Sequence, residues 1–215
     1  RCISALMSIH ARDGGLEVLV NHEGACRGIA VDVDAGELYV SDTPNDRIVV
    51  YSTKDWPKET RSFDAPSPHD LAFDGKRLWV LQRDDDVARI VPYGPGGEPG
   101  RALATGVGGA RGITVDVRGR LLVADAGPDS QVKIFAPAGG RMRPAGTLGV
   151  RGGIHARIAG RVAPDKLNHP QDVGVDADGN VVVCCELRNV GGHHLGTGGE
   201  VRMYAPDGAM RWEAY

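Results

Sequence analysis

The chain has 215 residues, enough for one sizeable hydrophobic core or two small ones, and a formal net charge of −3. That balance shows no overall commitment to nucleic acid, and the lack of any run of 18 apolar residues excludes a membrane-spanning helix. The 31 glycines and the 5% aromatic content favour short strands and tight turns over long helices.

In chain order, the first segment contains "ALMSIHA", whose Leu6 and Ile9 stand 42 residues before Ile48 and Tyr51. Residues 5–26 therefore read as the outer strands of a truncated unit. From Arg27, "RGIAVDV" alternates, "AG" turns the chain, "ELYVSD" returns and "RIVVYS" runs out again. "TRSFDA" then makes a weak outer strand. New units open at His69 with "HDLAFDGKRLWVLQ", at Arg111 with "RGITVDVRGRLLVAD" and at Gln171 with "QDVGVDADGNVVVCC". An aspartate ends the first apolar run of each, at Asp32, Asp74, Asp116 and Asp176, with intervals of 42, 42 and 60 residues. Third strands end in an aromatic at Tyr51, Tyr93, Phe135 and Tyr204. Four-stranded units repeating near 40 residues predict an all-β chain built as a β-propeller, because one such sheet cannot bury both its faces alone. The aspartates are expected to accept backbone N–H groups in the turns that follow.

These units resemble the NHL-repeat family of bacterial type, through "RGIAVDVDAGELYVSDTPNDRIVVY" and, less purely, "QDVGVDADGNVVVCC". The resemblance covers residues 5–215 and implies a single partial propeller across 1–215. Its blades are 27–68, 69–110, 111–170 and 171–215, after the truncated 5–26. Propellers of this family close with six blades, so the resemblance implies an incomplete ring, and a chain that starts at Arg1 reads as an internal cut.

The innermost strand of a blade starts at one rim of the central channel, and Arg27, His69, Arg111 and Gln171 hold that starting position. Both departures from the 42-residue period fall on the same rim. One is an insertion within 138–170 that carries Arg141, Arg143, Arg151, Arg157, Arg161 and Lys166 against Asp165 alone. The other is the loop "LRNVGGHHLGTGGE" with His193 and His194. Loops on a rigid scaffold are where binding residues concentrate. Arginines and a histidine around a concave mouth suit an anion. The expected ligand-binding residues are therefore Arg27, His69, Arg111, Gln171, Arg157, Arg161, His193 and His194. The expected partner is an anionic protein, peptide or glycan.

Competing chemistries are poorly supplied. "PHD" at Pro68–Asp70 is similar to the histidine motif of the peptidyl-hydroxyglycine amidating lyases, yet Arg27, Arg111 and Gln171 stand where further histidines would be needed. One histidine cannot make a three-ligand zinc site, so no metal and no cofactor are expected from these residues. A propeller enzyme of the amidating-lyase or lactonase type would need rim residues from other blades. "DVDAG" and "DADGN" lack the glutamate that ends a calcium loop and read as hairpin turns. Single-stranded RNA is a weaker alternative, since the basic insertion has no aromatics for stacking on bases. Alternation puts Cys184 and Cys185 on opposite faces of a strand, one of them in the core. The cysteine pattern leaves the compartment open, an extracytoplasmic or secreted one being preferred.

Overall fold

The computed structural model describes residues 3–9, 16–23, 26–55, 58–84, 87–103, 106–159, 161–187 and 198–215. All regular structure among them is β, apart from two single turns of 3-10 helix. Strands β1 (Ile3–Ile9) and β2 (Leu16–Glu23) form an antiparallel pair. A four-stranded sheet follows, of β3 (Ile29–Asp32), β4 (Glu37–Asp42), β5 (Arg47–Ser52) and β6 (Glu59–Asp64). The next sheet holds β7 (Pro68–Phe73), β8 (Leu78–Asp84) and β9 (Val87–Tyr93). Then come β10 (Ala110–Val115), β11 (Leu121–Asp125), β12 (Gln131–Ala138) and β13 (Arg141–Leu148). The last sheet holds β14 (Pro170–Val175), β15 (Val181–Leu187), β16 (Gly198–Tyr204) and β17 (Met210–Ala214).

Strand order in every sheet follows the sequence, which makes each a meander and the fold a β-propeller. One blade departs from the expected four strands. Beyond β9 the described residues show only an isolated Tyr93–Pro99 bridge. The segment there, "GPGGEPG", has prolines that cannot donate to a ladder and glycines that weaken one.

The chain falls into two compact units, Arg1–Asp85 with Ile90–Ala102, and Asp86–Arg89 with Leu103–Tyr215. In the first, Ala30, Tyr39, Ile48 and Val50 of one blade pack with Leu71, Leu78, Val80 and Tyr93 of the next. Leu38, Val40, Val49 and Tyr51 form a separate cluster on the other face of β4 and β5. These middle strands are buried on both faces, which is why "LYV" and "IVVY" run apolar instead of alternating. In the second unit, Leu122, Ala124 and Val132 pack with Val173, Val181, Val183 and Tyr204. Cys185 belongs to that core and Cys184 is exposed, as strand alternation requires. Cys26, Cys184 and Cys185 are free thiols.

The aspartate repeat does what the turn chemistry demands. Oδ1 of Asp74 accepts the N–H groups of Lys76 and Arg77. Asp116 takes those of Arg118 and Arg120, and Asp176 those of Asp178 and Asn180. Asp32 accepts from Ala35. Burial works against the Asp74 carboxylate, but the Trp79 indole, two backbone donors and Arg77 outweigh it and hold its pKa below the ordinary range.

One inner-strand position breaks the repeat in burial. Leu71, Ile113 and Val173 are 4%, 4% and 5% exposed, while the matching Ile29 is 55% exposed. Val31 lies on the same open face of β3, and Val33, just beyond the strand, is exposed as well. Leu71 and Val173 are each covered by the blade before their own, whereas ahead of β3 the described residues hold only β1 and β2. An apolar stripe of this kind drives association. Sedimentation of the 215-residue chain should show reversible self-association that Ile29→Thr with Val31→Thr largely removes. A monodisperse monomer at high concentration would contradict it.

Candidate functional site

Three inner strands begin with the same local irregularity. Pro68 pairs with Gln82 and Asp70 with Leu81, which leaves His69 as the extra residue of a β-bulge. Ala110 pairs with Asp125 and Gly112 with Ala124, which leaves Arg111. Pro170 pairs with Cys185 and Asp172 with Cys184, which leaves Gln171. A bulge re-aims the side chain of its unpaired residue, and bulges are over-represented beside functional sites. Arg27, at the matching position of the first full blade, has no bulge. There the Ser41 hydroxyl accepts the N–H groups of both Arg27 and Gly28, at 3.0 and 2.8 Å.

In each unit a loop is tied to the start of an inner strand. Thr43 donates its hydroxyl to the Pro68 carbonyl, and the Asp46 carboxylate accepts the Ser67 N–H, tying the β4–β5 loop to the start of β7. In the second unit Ser130, between β11 and β12, donates to the Leu167 carbonyl and accepts the His169 N–H. The segment 149–169 is thereby fastened beside the start of β14. The insertion itself is this segment, because Arg141 and Arg143 stand on the outer strand β13. Ser67 and His169, each just ahead of a bulged strand, hold φ of +42° and +46°, a region costly for residues with a Cβ.

Within the first unit Arg27 and His69 come together, with Nη1 of the arginine 3.5 Å from Nε2 of the histidine. Within the second, the Nε of Arg111 is buried and has no hydrogen-bond partner among the described residues. Gln171 turns its amide back to the His169 carbonyl, at 2.9 Å. Arg157 is ion-paired with Asp165, and Arg151 with Asp129. Lys166 is buried and donates to the Ile158 carbonyl, so several of the insertion's cations are already engaged within the second unit. Arg161 is exposed. His193 and His194 lie outside the described residues.

Sequence reasoning passed over two carboxylates and a histidine pair. The residues following Arg27, His69, Arg111 and Gln171 read Gly28, Asp70, Gly112 and Asp172. Each glycine faces the aspartate of the next blade. A Cβ on Gly28 would lie 2.6 Å from the Asp70 Cα, and one on Gly112 would lie 2.3 Å from Oδ1 of Asp172. Each aspartate also accepts the N–H of the residue after it, Leu71 at 2.9 Å and Val173 at 2.8 Å. Asp172 is exposed as a residue, yet its carboxyl lies in against the Gly112 backbone. Burial pushes its pKa above the ordinary range, with the Val173 N–H opposing. The alternation of glycine and aspartate was visible in the sequence; the contact across blades was not. His155 and His169 meet edge-on with ring centroids 6.4 Å apart. Among the described residues no group of three or more His, Cys, Asp or Glu could hold a metal ion.

The sequence profile of the NHL repeat matches residues 25–51. Those residues run from the start of the rim through β3, β4 and most of β5. The chain is a β-propeller carrying an NHL repeat. No curated protein matches it in sequence. Solved propellers do match in structure. A chain of the nidogen–laminin complex superposes with a TM-score of 0.63 at 19% identity, over 94% of this chain and 70% of that one. A putative 6-phosphogluconolactonase from Bacteroides uniformis gives 0.62 at 15% identity, over 96% and 62%. Hydrazine synthase from Kuenenia stuttgartiensis gives 0.59 at 18%, over 87% and 48%. The chain thus spans about half to 70% of the length of these proteins. Likeness at such identities concerns the fold, and fold alone does not carry function. Among the described residues no helix is long and apolar enough to cross a membrane.

Proposed function

We propose that this chain is a non-catalytic NHL-repeat binding module whose bulged rim receives an anionic group of a protein, peptide or glycan. The observation that supports it most is the buried Arg111 Nε without a hydrogen-bond partner among the described residues. A buried guanidinium N–H left without an acceptor costs on the order of 1–3 kcal/mol, so a shift of the side chain toward a ligand oxygen is favoured. Arg27 beside His69 offers a second cationic position in the other unit. The bulges give the reading a structural cause, since they release His69, Arg111 and Gln171 from the pairing register. The structural match in the nidogen–laminin complex, itself an assembly of proteins, is consistent with a protein partner. The lactonase among the structural matches keeps an enzymatic reading in play, with rim residues drawn from other blades.

The test is binding of polyglutamate and polygalacturonate by the 215-residue chain at 50 and 300 mM NaCl. Affinity should fall steeply with salt, and Arg27→Glu or Arg111→Glu should each weaken binding about tenfold or more. Unchanged affinity in both variants would overturn the rim assignment. Stoichiometric zinc in the intact protein would move the assignment to the lyase reading.

A further inference from the structure

Two exposed apolar features of this chain are flanked by charges of opposite sign. One is the inner strand of the first full blade. Ile29 and Val31 are 55% and 45% exposed, while their register partners Val40 and Leu38 are 0% and 9% exposed. The open surface on this face is therefore one strand wide, which admits a loop tip but not the broad face of a second sheet. Asp32 and Asp34 follow in the sequence, and Asp34 is exposed with no ion pair among the described residues.

The other feature is the tip of the insertion in the second unit. Ile158 and Val162 are 64% and 60% exposed. Arg161 donates its N–H to the Ile158 carbonyl at 3.3 Å, so the chain turns there. Arg157 is bound to Asp165, whereas Arg161 is exposed with no ion pair among the described residues. Below the tip the chain is held firmly. Lys166 reaches the Ile158 carbonyl at 2.6 Å, the buried Arg202 holds the Ala163 and Lys166 carbonyls, and Tyr204 holds that of Pro164. Such a tip has lost its ordering entropy on folding and loses little more on docking.

We infer that the insertion tip of one copy docks on the β3 stripe of a second copy. Ile158 and Val162 then cover Ile29 and Val31, and Arg161 meets Asp34. Ile29 and Val31 stand about 7 Å apart along the strand, a span that one turn of chain matches. The contact joins two different surfaces, so it is heterologous, and each copy in a pair keeps one tip or one stripe for a further copy. This names the surface that answers the exposed Ile29 and Val31, and it is independent of anion binding at the rim. The contact is small, so the association is weak and concentration-dependent.

The test is sedimentation equilibrium of the 215-residue chain and its variants, alone and mixed. The tip variant, Ile158→Ser with Val162→Ser, and the stripe variant, Ile29→Thr with Val31→Thr, should each be monomeric alone. Mixed in equal amounts they should form a one-to-one complex and nothing larger, because one keeps an intact tip and the other an intact stripe. At low salt Arg161→Glu and Asp34→Arg should each weaken self-association about fivefold, and a chain carrying both should regain most of it. Both residues are exposed, so this charge exchange reads the contact even where an apolar variant misfolds. A tip variant that associates as strongly as the parent would show stripe against stripe and overturn the inference. A mixture that stays monomeric, or a charge exchange that regains nothing, would overturn it as well.

Discussion

Arg202→Met is expected to cost roughly 3–5 kcal/mol, the range for breaking a buried ion pair by removing one member. Arg202 lies on β16 with a side chain 2% exposed, and its guanidinium reaches Glu200 at 2.8 and 2.7 Å. The same group donates to the Ala163 and Lys166 carbonyls at 3.2 and 2.9 Å. Tyr204, two residues on, donates its hydroxyl to the Pro164 carbonyl at 2.7 Å. One buried cation therefore neutralises Glu200 and fastens residues 163–166 of the insertion to the blade behind them. Burial alone would lower the Arg202 pKa, but Tyr204 and Glu200 reverse this and hold it charged. Methionine restores bulk and nothing else. It leaves a buried carboxylate and backbone acceptors unanswered. The midpoint of thermal unfolding should fall by about 6–20 °C. Amide exchange over 149–169 should accelerate well beyond the rest of the second unit. Adding Glu200→Gln should return part of the stability, since the stranded charge is then gone. A loss under about 1 kcal/mol with unchanged protection of the insertion would show that other contacts hold it.

Gly28→Ala should be nearly as damaging, with a loss of roughly 3 kcal/mol or failure to fold. The new methyl would meet the Asp70 Cα at 2.6 Å and the Leu71 N at 2.8 Å, and backbone cannot swing aside as a side chain can. Gly112→Ala should be milder, because its closest conflict is the Asp172 carboxylate, although the Asp172 Cα follows at 2.9 Å. Gly174, also within an inner strand, is the control. Nothing lies within 4 Å of a Cβ placed there, so Gly174→Ala should be neutral or stabilise by up to about 1 kcal/mol. Denaturant titrations of the three variants separate blade contact from glycine's own chain entropy. Equal losses at Gly28 and Gly174 would defeat the packing argument.

The pairing of Gly28 with Asp70 and of Gly112 with Asp172 also shows how the site relates to the fold. The glycine lets two inner strands approach, and the approach carries an aspartate up against the neighbouring blade. Sequence reading marked Arg27, His69, Arg111 and Gln171 as equivalent positions, because a repeat transfers any position to its equivalents; the last three are each the second residue of an inner strand, and Arg27 lies ahead of β3. It overlooked Asp70 and Asp172, which in a single blade are only the third residue of a strand. It also weighed the insertion by its formal charge. Arg151, Arg157 and Lys166 are answered within the second unit by Asp129, Asp165 and the Ile158 carbonyl, which charge counting cannot register.

What the amino-acid sequence determined by itself was local and periodic: alternating strands, aspartate-closed turns at Asp74, Asp116 and Asp176, and their recurrence as blades. These follow from side-chain period, turn chemistry and repetition, each contained within a few residues of chain. Tertiary structure alone decided which charges pair and which do not. Arg157 finds Asp165 and Arg202 finds Glu200, while the Arg111 Nε is buried without a hydrogen-bond partner among the described residues. Whether opposite charges meet depends on packing direction and on backbone approach within a few ångströms. Those distances are fixed by contacts between strands up to 60 residues apart, such as Gly112 against Asp172.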